Sequence, residues 1–382
     1  MRRMDGDSFA GTGRHHTDPP RQGKPPVDSP GAACHPSAME NRSARPGAQN
    51  LITDVAGLAV GQAEDARART GVTVILPDRA AVCACDVRGG GPGTRETDAL
   101  AAENLVEAID AVVLSGGSVY GLAAADGVAA WLGAQGRGFA LTAAPGVPPS
   151  PVIPAAILYD LANGGDKAWG LEPPYRSLGM AAAEAASQSF TLGTAGAGYG
   201  AMAGSLKGGT GSASIVTADG ITVGALACVN SFGAVTAPGG RAFWAAPYEI
   251  GDEFGCLGSA GLRAAPEDWG RAKTNPGARQ NTTIACVATD VALTPAQAKR
   301  VAIMAQDGLA RAVRPAHAPF DGDVVFALST GRIPLAEPAQ RTLTRIGALA
   351  ADCLARAIAR GVYAATPWTS EGPICWRDLT DD

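Results

Sequence analysis

Histidine is nearly missing from this sequence, and lysine is scarce. Four histidines occur among 382 residues, at positions 15, 16, 35 and 317, and the lysines number five. A histidine-rich metal centre is therefore excluded, and no metal or other cofactor is expected. Any Ser-His-Asp relay would have to use His317, which stands in the proline-flanked stretch "RPAHAPFDGD" and reads as a loop histidine. Charge is thin as well: 18% of residues are charged, the net charge is −5 and the pI is near 5.5, with no block of one sign. That balance suits neither nucleic acid nor an anionic membrane as a partner. No run of roughly 18 uncharged apolar residues appears, and the start "MRRMDGDSFAG" lacks the apolar centre of a signal peptide, so a cytoplasmic protein is expected. The eight cysteines form no CxxC pair and no ladder of spacings, which predicts reduced thiols. Cys83-Ala-Cys85 reads as two strand residues.

What is present is 46% hydrophobic residues, enough to bury a sizeable core. Residues 1–48 are rich in Pro, Gly, Arg and His without an apolar period, a composition that does not repay the entropy of ordering, and they are expected to be a tail. Met39 falls just ahead of the first credible strand and is the expected true start. Residues 49–382 are long enough for one large domain or two small ones. Short apolar runs at Gly71 to Leu76, Ala111 to Leu114 and Val152 to Leu158 predict strands, and Leu100 to Ile109, Leu122 to Leu132 and Met180 to Ser187 predict helices. "SASIVTADGITVGALACVN" predicts a hairpin turning on Asp219-Gly220. Thr294, Pro295 and Gln297 are the N-cap, first helical residue and capping-box partner of a further helix. A strand at Val324 to Ser329 and a helix from about Pro338 to Arg360 follow. Hairpins with segregated helices indicate an α+β fold in layers rather than a doubly wound nucleotide fold.

Several stretches carry possible chemistry. "LSGGSVYGL" resembles the nucleophile elbow of serine hydrolases, but Tyr120 stands where that motif needs glycine, so Ser118 reads as the start of a helix. The backbone N–H groups of Ser115, Gly116, Gly117 and Ser118 could still bind a carbonyl or anion of a substrate. The glycine-rich residues 193–214 contain neither GxxxxGK[ST] nor a complete GxGxxG, and a phosphate loop is a weak reading. Within them Lys207 stands out among small residues, as either a site lysine or a surface one.

Asn281-Thr282-Thr283 runs straight into an apolar strand. A hydroxyl can attack the carbonyl preceding its own residue, and hydrolysis of the ester then leaves Thr282 with a free α-amine beside its hydroxyl. Such an amine, with an ordinary pKa of about 7.7 to 8.0, can act as the base, so no histidine is required. The same three residues could simply turn the chain into a strand. Asp321 and Asp323, two apart at the start of a strand, can point to one face, where two carboxylates split their titration. An Asx-type turn is the alternative, and the ligand series of a calcium loop is absent.

Five stretches in order, "GGGPGTRETDAL" (89–100), "AVVLSGGSVYGLAAADGVAAWL" (111–132), "VIPAAILYDL" (152–161), "SLKGGTGSAS" (205–214) and "NTTIACVATD" (281–290), resemble the DmpA-type L-aminopeptidase/D-esterase family, peptidase family S58. That family includes the endo-type 6-aminohexanoate (nylon-oligomer) hydrolases, and the Asn-Thr form is closer to that branch. The resemblance implies a four-layer αββα sandwich of the N-terminal-nucleophile-like type, cut by the protein itself into residues 49–281 and 282–382 and assembled as a homotetramer of cleaved pairs. It implies Thr282 as nucleophile, cleavage between Asn281 and Thr282, and site roles for Lys207, Asn230, Asp321, Asp323 and Tyr159. The expected substrate is a small peptide or oligo-amide, with aminopeptidase and oligomer hydrolase both open. A non-catalytic metabolite-binding protein on the same fold is the rival reading.

Overall fold

The computed structural model describes residues 44–273, 281–368 and 372–380. The tail expected over residues 1–48 lies outside these except at 44–48, where Arg45 pairs with Val216. In chain order the elements are β1 (Leu58–Asp65), β2 (Thr70–Pro77), β3 (Val82–Val87), β4 (Thr94–Arg95), β5 (Val112–Ser115), α1 (Ala124–Ala134), β6 (Ala155–Ile157), α2 (Tyr175–Glu184), β7 (Met202–Ala203) and β8 (Leu206–Lys207). They continue with β9 (Gly209–Val216), β10 (Thr222–Asn230), β11 (Thr282–Val291), α3 (Pro295–Ala312), β12 (Val324–Ile333) and α4 (Ala339–Tyr363).

Two five-stranded sheets result, ordered β1-β2-β5-β6-β4 and β3-β12-β11-β10-β9. Side-chain alternation sorts their residues into three cores. Ile284, Cys286, Val324, Phe326 and Leu328 point inward to meet Ile75, Val112 and Leu114 of the other sheet. On the far face of the second sheet Val287, Val325 and Ala327 meet Ala305, Leu309, Leu354 and Ile358 of α3 and α4. On the far face of the first sheet Val72, Val74 and Val113 meet Val128, Leu132 and Ala182 of α1 and α2. Helix, sheet, sheet, helix is the expected αββα order. Every residue of β11 is buried, which accounts for its near-continuous apolar run. β11 and β12 run parallel and are joined through α3, as a parallel pair requires a long crossover.

The glycines of "SLKGGTGSAS" serve close packing. A Cβ on Gly211 would collide with the Ala357 carbonyl and one on Gly209 would press on that of Gly361, so these glycines let α4 lie close upon β9. The α3 start is as expected: Gln297 N donates to Thr294 Oγ1 at 3.3 Å and Thr294 N to Gln297 Oε1 at 2.9 Å.

Four readings change. Leu100 to Ile109 is no α-helix: the chain makes a single 3-10 turn at Asp98–Leu100, and of its apolar residues Leu100 and Ile109 are buried while Leu105 is 74% exposed. The strand at Val152 to Leu158 shrinks to Ala155–Ile157, since Pro154 has no N–H to give a ladder. The hairpin closes from Val216 to Thr222, longer than a two-residue turn, because Thr217 Oγ1 accepts Ile221 N and Thr217 N donates to Ile221 O. Cys256 is disulfide-bonded, against the expectation of reduced thiols, while Cys83, Cys85, Cys228, Cys286, Cys353 and Cys375 are free. Among the described residues no helix is long and apolar enough to cross a membrane.

Candidate active site

Thr282 is the first residue of β11 and is 3% exposed. Its hydroxyl donates to the carbonyl of Asn281, the group that precedes its own residue. The same carbonyl oxygen accepts Gly322 N at 3.0 Å. Residues 274–280, directly ahead of this bond, lie outside the described residues.

The loop from Arg314 to Asp323 wraps the bond. Asn281 makes a parallel bridge with Asp321, and Asp323 Oδ1 accepts Thr283 N at 2.8 Å. The other oxygen of Asp323 accepts both His317 N at 3.1 Å and His317 Nδ1 at 2.9 Å, which puts the ring proton on Nδ1. Asp321 Oδ2 accepts Ala318 N at 2.9 Å. Burial, and next the charge of Asp323, push the Asp321 carboxyl up to about 7. Asp321 Oδ1 and both polar atoms of the Asn281 side chain are buried without a hydrogen-bond partner among the described residues. Room for this convergence comes from glycine. Gly91 N donates to Asp321 O at 2.7 Å, a Cβ on Gly89 would strike Asp323 N, and one on Gly322 would stand 2.6 Å from Thr282 Oγ1. The "GGGPG" stretch is thus the backing of the aspartate loop.

Across the ladder Thr282 faces Asn230, the last residue of β10. Asn230 Oδ1 accepts Met202 N at 2.9 Å and its Nδ2 donates to Tyr159 O at 3.0 Å. Tyr159, Asp160, Asn163, Asn230 and Lys273 line a cavity of about 140 Å³ beside this end of the sheet. Lys273 Nζ donates to Asn230 O at 3.2 Å, and burial, opposed by the neighbouring Asp321, lowers its amine to about 7. A hydroxyl, a carbonyl with a donor on its oxygen, two carboxylates and an amine lowered by burial are groups that acyl transfer can use.

A family model, peptidase family S58, matches residues 50–373. The chain belongs to peptidase family S58. An uncharacterized aminopeptidase of Mycobacterium tuberculosis is 44% identical over 342 residues, spanning 83% of this chain and 95% of that protein. A 6-aminohexanoate-oligomer endohydrolase of Kocuria sp. is 29% identical over 332 residues, spanning 83% of this chain and 84% of that one. Among solved structures, a Burkholderia sp. β-aminopeptidase superposes with a TM-score of 0.62 at 24% identity, over 88% of this chain and 94% of that one. The L-aminopeptidase D-Ala-esterase/amidase of Ochrobactrum anthropi, described as a variant of the Ntn hydrolase fold, gives 0.61 at 21% identity over the same shares. These two likenesses establish the fold.

Within this S58 peptidase the expected residues divide into groups. Thr282, Asn281, Asp321 and Asp323 converge, and Asn230 and Tyr159 adjoin them through the ladder and the small cavity. Lys207 is held differently. It is fully buried, and its Nζ donates to Gly208 O at 2.7 Å and to Gly198 O and Ala201 O at 3.2 Å each, beneath the Trp368 ring at 5.0 Å. Burial lowers this amine to about 7. These three carbonyl contacts tie Lys207 to the turn that carries Met202, whose N–H holds Asn230.

The turn from Ser115 to Ser118 also faces inward. Ser115 Oγ donates to Gly116 O, Ser118 N donates to Leu158 O, and Gly117 N donates to Asp160 Oδ1 at 2.7 Å. The anion at this turn is therefore the chain's own Asp160, which also accepts Thr70 Oγ1 at 2.6 Å and is raised to about 6 by burial. Ser118 opens a 3-10 helix, as its reading as a helix start required. Sequence reasoning missed Lys273, His317, Asp160 and Gly322. Lys273 shares with Lys207 the rarity that singled the latter out, and His317 stands six residues before Asp323 in the stretch already quoted. Among the described residues no group of three or more His, Cys, Asp or Glu could hold a metal ion.

Proposed function

We propose that this amide hydrolase cuts its own chain between Asn281 and Thr282 and then uses Thr282, as a new amino terminus, to open amide bonds in small peptides or oligo-amides. The observation that carries the reading is the Thr282 hydroxyl lying on the Asn281 carbonyl while Gly322 N–H meets the oxygen of the same group. Attack of Oγ1 on the Asn281 carbonyl carbon sends charge to that oxygen, where the Gly322 donor is already aimed. Asp321, in its ionised form, takes the hydroxyl proton and passes it to the Thr282 nitrogen as that nitrogen is expelled, which gives an ester and a free amine. Water hydrolyses the ester, leaving the Asn281 carboxylate and the Thr282 hydroxyl.

In the cut protein the α-amine of Thr282 takes over as base. It removes the hydroxyl proton as Oγ1 attacks the substrate carbonyl, then returns it to the departing amine, and water releases the acid from the acyl-enzyme. Asp323 anchors the strand through Thr283 N, and Asn230 sits opposite the nucleophile to bound the carbonyl. Asp160, lining the polar cavity with lone pairs to spare, supports a substrate bearing a free ammonium and hence the aminopeptidase form over the endo-type oligomer hydrolase. A homotetramer of cleaved pairs is carried over from the family resemblance and is testable by light scattering.

Intact-mass spectrometry tests the central step. Two masses, the smaller matching residues 282–382, are expected. One full-length mass together with no turnover of peptides or amides would remove the reading. Acetylating the amino end of a cleaved peptide should abolish turnover if Asp160 reads the ammonium.

A further inference from the structure

Beside the aspartate loop lies a second, larger cleft of about 700 Å³, walled by Phe232, Trp269, Pro315, Pro319 and Phe320, with Lys273 and His317 at its polar edge. Its size falls within the range of small-molecule sites, about 300 to 1,000 Å³. The walls are built, not incidental: the Phe232 and Phe320 rings meet edge to face at 4.7 Å, and Trp269 stands against Phe232 at 6.0 Å. Trp269 is nonetheless 47% exposed, an indole left facing solvent beside reactive groups.

The cleft is continuous with the machinery along the chain. Phe320 directly precedes Asp321, and Phe232 is two residues past Asn230. At its edge His317 holds Asp323 and Lys273 holds the Asn230 carbonyl. Lys273 also lines the polar cavity of about 140 Å³, so the two hollows meet at this one side chain. The smaller has room for a few heavy atoms only, with the share of one liquid water being about 30 Å³. Whatever is bulky in a substrate has to go the other way.

We propose that the Phe232–Trp269–Phe320 cleft is the subsite for a bulky apolar side group next to the scissile amide, aromatic or branched aliphatic, so that the substrates are small amides carrying leucine-like or phenylalanine-like residues rather than glycine- or alanine-like ones. This rests on Thr282 as the nucleophile. Burial of each added methylene in such a cleft is worth about fourfold in specificity.

The test compares alanyl, leucyl and phenylalanyl p-nitroanilides, and glycyl amides of the same three residues, on wild type, Trp269→Ala and Phe320→Ala, with self-cleavage followed by mass. In at least one series kcat/KM should rise tenfold or more from alanine to leucine or phenylalanine. Both variants should lose most of that rise, while self-cleavage and the alanine substrate change less than about threefold in Trp269→Ala. A flat series in wild type, or a preference that survives both variants, overturns the proposal. Binding of alaninamide and leucinamide, followed by calorimetry, separates the two layers. Leucinamide binding at least tenfold more tightly, with the difference lost in Trp269→Ala, upholds the cleft even if Thr282 proves not to be the nucleophile; equal binding combined with a flat series removes it.

Discussion

His317 donates twice to a single oxygen of Asp323, once from its backbone at 3.1 Å and once from Nδ1 at 2.9 Å. The other oxygen of that carboxylate holds Thr283 N, one residue past Thr282. The ring acts through Asp323, as a positioning residue. A hydrogen bond to a charged group contributes about 1.5 to 3 kcal/mol. His317→Ala should therefore slow self-cleavage and turnover by roughly 10- to 100-fold, with partial rescue by His317→Asn, whose amide N–H can donate. Rates measured by mass and by amide hydrolysis that do not move would show the ring to be idle.

Thr282→Ala should give an uncut, folded and inactive protein, and Thr282→Ser should keep both cutting and turnover. Intact mass, thermal melting and amide hydrolysis on the same preparations check this. Cutting in Thr282→Ala would place the nucleophile elsewhere.

Gly322→Ala introduces a methyl 2.6 Å from Thr282 Oγ1 and disturbs the donor on the Asn281 oxygen. Loss of one oxyanion donor typically costs about 10²- to 10³-fold. Self-cleavage should slow by at least that lower figure while the fold, read by Tm, is largely kept.

Asp321 and Lys273 make the site sensitive to pH. Asp321 is raised to about 7 from an ordinary 3.8, so its protonated form is favoured in the fold: its contribution to stability is full below pH 3.8 and is lost as pH rises toward about 7. Lys273 is lowered to about 7 from 10.5, so its contribution is full above 10.5 and is lost as pH falls toward about 7. The two together stabilise least near neutrality, where both are poised to exchange protons. Tm of the uncut Thr282→Ala protein should fall between pH 4 and pH 7, and adding Asp321→Asn should flatten that fall. Self-cleavage of the wild type should rise through an inflection near pH 7, and Lys273→Met should move the inflection to higher pH by removing a positive neighbour of Asp321.

Lys207→Met should lower Tm and activity together, since three carbonyls lose their donor and the turn that holds Asn230 is loosened. A drop in kcat at unchanged Tm would instead mark Lys207 as a donor to substrate.

Much of this site was legible because its members are close in sequence or repeat a local rule. Asn281-Thr282 announces itself as polar residues before a buried strand, and Asp321 and Asp323 stand two apart just ahead of another, β12. The capping box at Thr294 is a contact within four residues. Lys273 and His317 were not legible: the first meets Asn230 from 43 residues away and the second reaches Asp323 by a loop with a left-handed backbone at φ 58°. Such contacts depend on how loops pack, which no period records. The false helix at Leu100 to Ile109 shows the limit of propensity: three alanines in ten residues did not make a helix of a segment whose Leu105 faces solvent. Lys207 stood out by rarity, and rarity said nothing about the three carbonyls that would claim it.

The order β3-β12-β11-β10-β9 has a consequence for the two pieces that a cut before Thr282 would create. Strands β11 and β12 would belong to the small piece and would lie wedged between β3 and β10 of the large one, with α3 and α4 clamped over the same sheet. Neither piece could then leave without unzipping two ladders at once and stripping a core. The scission would behave as a change of chain ends inside an interlocked body, not as a division of it, and two halves synthesised apart would each have to expose the seam that the continuous chain never opens.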